Sequence, residues 1–91
     1  MIFEWDVRKA RINLRDHGVA FEEAATVFLD RLAATYSDPD HSDNEDREIT
    51  IGYSSRQRLL FVSHLTRAER IRLISARQAT RQERKQHEEN S

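Results

Sequence analysis

The sequence has no cysteine, one proline and two glycines among its 91 residues. Without cysteine there is no disulfide framework, no thiolate metal site and no thiol nucleophile, so burial alone must hold the fold. Long apolar runs are missing as well. The longest, Leu59–Leu60–Phe61–Val62, falls far short of the roughly 20 residues that span a bilayer. The N-terminus lacks the basic-then-apolar order of a signal peptide, so a soluble, cytoplasmic protein with no membrane partner is expected. Nor is there a large excess of charge of one sign: the formal net charge is −1, against the strong imbalance typical of disordered chains. Apolar residues make up only 37% of the chain and the mean hydropathy is −0.82, which predicts a folded but thin-cored domain. The length fits one domain over residues 1–91.

What is present is charge, at 34% of residues, unevenly spread. Residues 1–45 carry 5 basic and 10 acidic side chains, whereas residues 46–91 carry 10 basic and 6 acidic. Of the 15 cations 13 are arginine, the side chain suited to planar, bidentate contact with phosphate or carboxylate. Pairing of the basic half with the acidic half is the alternative use of that bias.

The apolar spacing predicts an α+β fold. Residues 1–5 read as a short strand, followed by Asp6 as a helix N-cap, a helix over 7–17 and a Gly18 stop. A second helix starts at Phe21, with an apolar stripe of Phe21, Ala24, Ala25, Phe28 and Leu29. The period then becomes strand-like at 32–36, 47–53, 58–65 and 69–76, which predicts a four-stranded antiparallel meander, with or without the N-terminal strand at its side. The two N-terminal helices are expected on one face. Thr80 followed by Glu83 is a capping-box signature for a last helix over 81–89, which has no apolar face of its own.

The chemical candidate is the basic surface where the last strands hand over to that helix. Arg70 and Arg72 alternate onto one strand face. Arg77, Arg81 and Arg84 line one helical face if the helix includes Arg77; Thr80 as N-cap leaves Arg77 at the junction instead. Such a cluster suits a polyanion backbone or the charge that builds on a phosphate during reaction. Among the histidines, His17 suits a helix C-terminus and His64 a buried strand position, which leaves His41 and His87 as the better acid–base candidates. The loop over 37–46 holds Asp38, Asp40, His41, Asp43 and Glu45. It lacks the glycine of a calcium-binding turn and carries Pro39 in the ligand run, so solvation or pairing with arginine is expected there and no metal or other cofactor.

Taken in order, Phe3–Glu4–Trp5–Asp6, His17–Gly18–Val19 with Phe21–Glu22–Glu23–Ala24, Asp38–Pro39–Asp40–His41–Ser42, Ile49–Thr50–Ile51–Gly52 and Arg72–Leu73–Ile74–Ser75–Ala76–Arg77 resemble the BrnT family. The resemblance runs over nearly the whole chain. It implies the toxin of a bacterial type II toxin–antitoxin system, with a RelE-like ribonuclease fold. It further implies a metal-independent endoribonuclease that cleaves RNA and inhibits translation. The partners would be an RNA substrate, a BrnA-like ribbon–helix–helix antitoxin and, through the antitoxin, operator DNA. In that chemistry the ribose 2′-hydroxyl attacks the adjacent phosphate. Arg77, Arg81 and Arg84 would stabilise the phosphate, His87, His41 and Glu83 are the candidates for proton transfer, and Arg58, Arg70 and Arg72 would contact RNA. The alternative is a non-catalytic or degenerate toxin that serves its antitoxin in autoregulation. Two positions depart from the family pattern: Ala20 stands where Ser is common ahead of Phe21–Glu22–Glu23, and His87 stands where Tyr is common.

Overall fold

In the computed structural model, which describes residues 1–38 and 47–90, the chain starts with a short strand, β1 (Ile2–Trp5). Asp6 then caps α1 (Val7–His17), its carboxylate accepting from the backbone N–H of Arg8 at 2.7 Å and of Lys9 at 3.2 Å. These are donors that a helix start leaves open. Gly18 closes the helix with φ 68°, a left-handed conformation that a Cβ would strain, and its N–H donates to the Leu14 carbonyl at 2.9 Å. After the second helix, α2 (Phe21–Thr26), come the strands β2 (Ala34–Ser37), β3 (Arg47–Tyr53), β4 (Leu59–Arg67) and β5 (Arg70–Gln78). Helix α3 (Arg81–Glu89) completes the order.

The second helix is shorter than its apolar stripe predicts. After Thr26 the chain tightens into a 3₁₀ turn over Val27–Leu29, and Leu29 is left 80% exposed. Asp30 is the cause: its carboxylate accepts from the N–H of Tyr53 at 2.7 Å and of Leu32 at 3.0 Å, drawing the chain off the helical path toward β3. The same turn keeps Leu32 exposed and delays β2 to Ala34. Gly52 belongs to this close approach, since a Cβ there would lie 2.9 Å from Ala33 Cβ and 3.0 Å from Val27 Cγ1. At the other end of α2, Ala20 has a cap's extended backbone but no side chain to cap with. Ala20→Ser is therefore expected to raise stability by about 1 kcal/mol, read as a higher urea midpoint with unchanged slope.

The sheet has five strands in the order β1-β5-β4-β3-β2. Strands β2 to β5 form the expected antiparallel meander, but β1 adds to it in parallel, from Ile2 beside Arg70 to Trp5 beside Leu73. The sheet is thus mixed and five-stranded, a correction to the four-stranded antiparallel expectation. No hairpin constrains β1 to run antiparallel, because the whole meander lies between it and β5. Its short length leaves the second half of β5 without a strand on that edge, and there the buried Asn13 of α1 takes over. The Asn13 amide donates to the Ala76 carbonyl and accepts from the Ala76 N–H, both at 2.9 Å, as a further strand would.

Helices α1 and α2 pack on one face of the sheet. Val19, Phe21, Ala24 and Val27 meet Leu60, Val62, Ile71, Leu73 and Ala76 in the core, flanked by Phe3, Trp5 and Phe28. His64 lies in this face, with Nε2 at 2.7 Å from Thr50 Oγ1, Nδ1 at 3.0 Å from Thr66 Oγ1, and the Phe28 ring against it at 5.0 Å. Burial pushes its pKa below the usual 6.5, so the folded protein holds it neutral. The unfolded chain takes up that proton as pH falls through about 6.5, and stability must fall with it by at most about 1.4 kcal/mol per pH unit. Denaturation between pH 7 and 5 is expected to show this slope, and His64→Gln to flatten it. Among the described residues no helix is long and apolar enough to cross a membrane.

Candidate functional site

Alternation along β4 leaves Phe61, Ser63 and Leu65 on the face away from α1 and α2. The register sets Ile51 beside Phe61, Ile49 beside Ser63 and Arg47 beside Leu65 on one side, with Arg77 beside Phe61 and Ser75 beside Ser63 on the other. Ile49, Ile51, Phe61, Ser63 and Leu65 are all half-buried, so this face is a shallow apolar floor edged by arginine. A bulge between Ser63 and His64 opposite β5 leaves Ile74 unpaired and bends the floor.

Three depressions lie along it. The central one, a cleft of about 220 Å³, is lined by His17, Asp38, Arg47, Ile49, Phe61, Ser63, Ser75, Ala76 and Arg77. Toward α3, a second is bounded by Tyr36, Ile51, Phe61, Glu83, Gln86, His87 and Asn90. At the opposite end, Glu4, Leu65, Arg67, Arg70 and Arg72 surround the third.

Arg77 joins the first two. It sits in β5 rather than in the helix, so it does not share a helical face with Arg81 and Arg84. Its guanidinium carbon lies 4.4 Å from the centroid of the Phe61 ring, and its two terminal nitrogens donate to the Glu83 carboxylate at 2.8 and 2.9 Å. Glu83 is itself fixed by the capping box: it accepts from the Thr80 N–H at 2.8 Å while its own N–H donates to Thr80 Oγ1 at 3.1 Å. Chiefly through Arg77, and then Thr80, its pKa is pulled from 4.5 to about 2. At neutral pH Glu83 is thus ionised, and its carboxylate is the partner that fixes the Arg77 guanidinium.

The other arginines are distributed differently. Arg70 and Arg72 share the Glu4 carboxylate, each at 3.1 Å, and stay largely exposed. Arg58 is committed elsewhere: its Nε donates to Glu23 at 2.9 Å, a terminal nitrogen bonds the same carboxylate, and it also reaches the Gly18 carbonyl at 3.1 Å. Ser54 Oγ completes the Glu23 shell at 2.6 Å. Arg58 therefore ties α2 to the start of β4, with its side chain only 22% exposed. Arg84 is exposed on α3 and close enough to Tyr53 to favour its ionised form, although burial and the Glu88 hydrogen bond raise the Tyr53 pKa overall. Arg81 is exposed, with no partner among the described residues. His87 lies in the second depression with its ring 5.9 Å from that of Tyr53. His41 lies outside the described residues.

Sequence reasoning missed Arg47, His17, Asp38, Ser63 and Ser75, which the central cleft brings together with Arg77. Two signals pointed there: Arg47 opens an alternating strand, and Ser63 interrupts an apolar one. Their register across β4 and β5 could not be read locally. Among the described residues no group of three or more His, Asp or Glu side chains is placed to hold a metal ion.

A family model described as the ribonuclease toxin BrnT of type II toxin–antitoxin systems matches residues 5–83. The chain belongs to the BrnT toxin family. In fold it is similar to the ribonuclease toxin BrnT of Brucella abortus, known from a crystal structure, with a TM-score of 0.69 and 21% identity over 89% of this chain and 100% of that one. No curated protein sequence matches it. The BrnT match spans the central cleft and the whole Arg77–Glu83 clamp. Membership in a type II system implies an antitoxin partner.

Proposed function

We propose that this BrnT-family chain is a metal-independent endoribonuclease that cuts RNA by attack of the ribose 2′-hydroxyl on the neighbouring phosphate and so inhibits translation. The observation that carries the reading is the open sheet face with Arg77 clamped between Phe61 and Glu83. A guanidinium whose position is set before the substrate arrives stabilises charge developing on a phosphate without reorganising during the reaction. Arg70 and Arg72, sharing one carboxylate between two cations, leave net positive charge for the backbone of a bound strand at the far end of the same face. Arg84 adds charge on the α3 side, and Arg81 lies further out along the helix. His87 offers an imidazole beside Tyr53, where a neighbouring nucleotide would rest.

The inhibitor in this reading is a BrnA-like ribbon–helix–helix antitoxin, which would also carry the complex to operator DNA, and the site of action is the cytoplasm. Expression of the chain alone is expected to arrest growth and deplete intact messenger RNA, and co-expression of a cognate BrnA-like antitoxin to restore both. Normal growth with tight antitoxin binding would instead favour a toxin that has lost catalysis and serves only autoregulation.

A further inference from the structure

We propose that the reacting phosphodiester sits in the central cleft over Ser63 and Ser75, held by Arg47 as well as Arg77, with His17 as the acid that protonates the leaving oxygen. The proposal rests on the ribonuclease reading above and assigns its chemistry to residues of the cleft.

Arg47 carries the argument. Its Nε is buried and has no hydrogen-bond partner among the described residues, whereas Arg58, Arg70, Arg72 and Arg77 each meet a carboxylate. A buried donor on a charged group is costly to leave unpaired, so a site that retains one is built for an acceptor that arrives from outside. The register places that acceptor. Arg47 lies beside Leu65 and Arg77 beside Phe61, so the two flank Ser63 diagonally from opposite sides of β4. Between them Ser63 and Ser75 stand opposite each other, with no hydrogen-bond partner for either hydroxyl among the described residues. Two guanidinium groups and two hydroxyls around a small cleft fit a tetrahedral anion.

His17 reaches the same cleft because of Asn13. The two are four residues apart on α1, hence on one helix face, and the Asn13 amide is locked to Ala76 next to Ser75. His17 faces Asp38, Arg47 and Arg77 across the cleft, and Lys9 and Asp16 lie beside it on its own helix. In the step proposed, a lone pair of the 2′-oxygen forms the new bond to phosphorus and its proton passes to the Asp38 carboxylate. The bond from phosphorus to the 5′-oxygen breaks with its electron pair on that oxygen, which takes a proton from the His17 imidazolium. A 2′,3′-cyclic phosphate and a 5′-hydroxyl result.

The test uses the full chain, a cleavable RNA and the same oligonucleotide with 2′-deoxyribose at the cut site. Arg47→Met is expected to cut cleavage about 100-fold and to weaken binding of the uncleavable strand. Its melting temperature should be equal to wild type or higher, an outcome that a structural role for Arg47 would not give. His17→Asn is expected to lower kcat about 100-fold with little change in KM or in binding of the uncleavable strand, a split that a merely structural role for His17 would not give. Arg31→Ala, which removes an exposed arginine outside the cleft, controls for net charge and should cleave as wild type does. If wild type cleaves and both Arg47→Met and His17→Asn cleave equally well, the site assignment is overturned while the ribonuclease reading stands. If wild type cleaves nothing, the ribonuclease reading falls and the assignment with it.

Discussion

Arg58→Ala is expected to destabilise the chain by about 3 kcal/mol, near the lower end of what breaking a buried ion pair costs. The Glu23 side chain is only 6% exposed and that of Arg58 22%, so the deletion would leave a carboxylate in the interior with Ser54 as its principal remaining donor. Arg56, 3.7 Å away and mostly in solvent, is placed to compensate only weakly. Against a total of roughly 5–15 kcal/mol for a folded domain, and with a thin core, such a loss is large. The Glu23→Ala/Arg58→Ala double variant should recover part of it, because the unpaired charge disappears. Chemical denaturation of the four-member cycle checks this; a double variant as unstable as the sum of the singles would show that the pair contributes nothing as a pair. The Glu23 pKa is held down mainly by Arg58. Its stabilisation is therefore complete above the ordinary carboxylate range near 4.5 and is lost as pH falls below it.

The largest effect on activity is expected at Arg77. Arg77→Ala should reduce RNA cleavage by about 10²–10³-fold, the range found when one preorganised charge-stabilising donor is removed from an active site. Arg77→Lys should recover little of it, since an ammonium can neither fork onto Glu83 nor lie as a plane over Phe61. Both variants should still fold, because the Arg77 side chain is 44% exposed and lies outside the core cluster. Glu83→Gln should give a smaller loss, with Arg77 present but less firmly held. With its pKa at about 2, Glu83 stays ionised well below neutrality, so an acid limb of the rate profile near pH 6 would not come from this carboxylate. Steady-state cleavage by the three variants, each with a melting curve, checks the set; full activity in Arg77→Ala would remove this residue from the site.

The parts of the fold that were legible are those decided by neighbours in sequence. Asp6 and Gly18 bound α1, and Thr80 with Glu83 bounds α3, because capping needs residues only two to four positions apart. The continuous apolar run from Leu59 to Val62 belongs to β4, the central strand of the sheet. Beyond that reach the reading failed in physical ways. Whether β1 joins the sheet, and in which direction, depends on an edge of β5 formed some 65 residues later in the chain. Nothing near Asn13 in sequence marks it, since the group it serves, the Ala76 backbone, lies 63 residues away. Glu23 lies three residues after Ala20 in a helix start without a capping side chain, and in the fold it is Arg58 and Ser54, more than 30 residues away, that hold it.

The candidate site divides along the same line. Arg77 stood out because it ends a recognisable segment next to a capping box. Arg47 and His17 did not, since what marks them is a buried Nε and a turn of helix pinned above Ser75, and both depend on tertiary packing. The pairing of Arg58 was hidden for the same reason: sequence shows a charge but not the carboxylate, Glu23, that meets it in the fold.

The most direct measurement is cleavage by the purified chain in excess chelator, with both naked RNA and messenger-programmed ribosomes as substrate and the new ends mapped. The account predicts that cutting persists without metal and leaves a 2′,3′-cyclic phosphate on one fragment and a 5′-hydroxyl on the other. Intact RNA with both substrates, or cutting that the chelator abolishes, would contradict it.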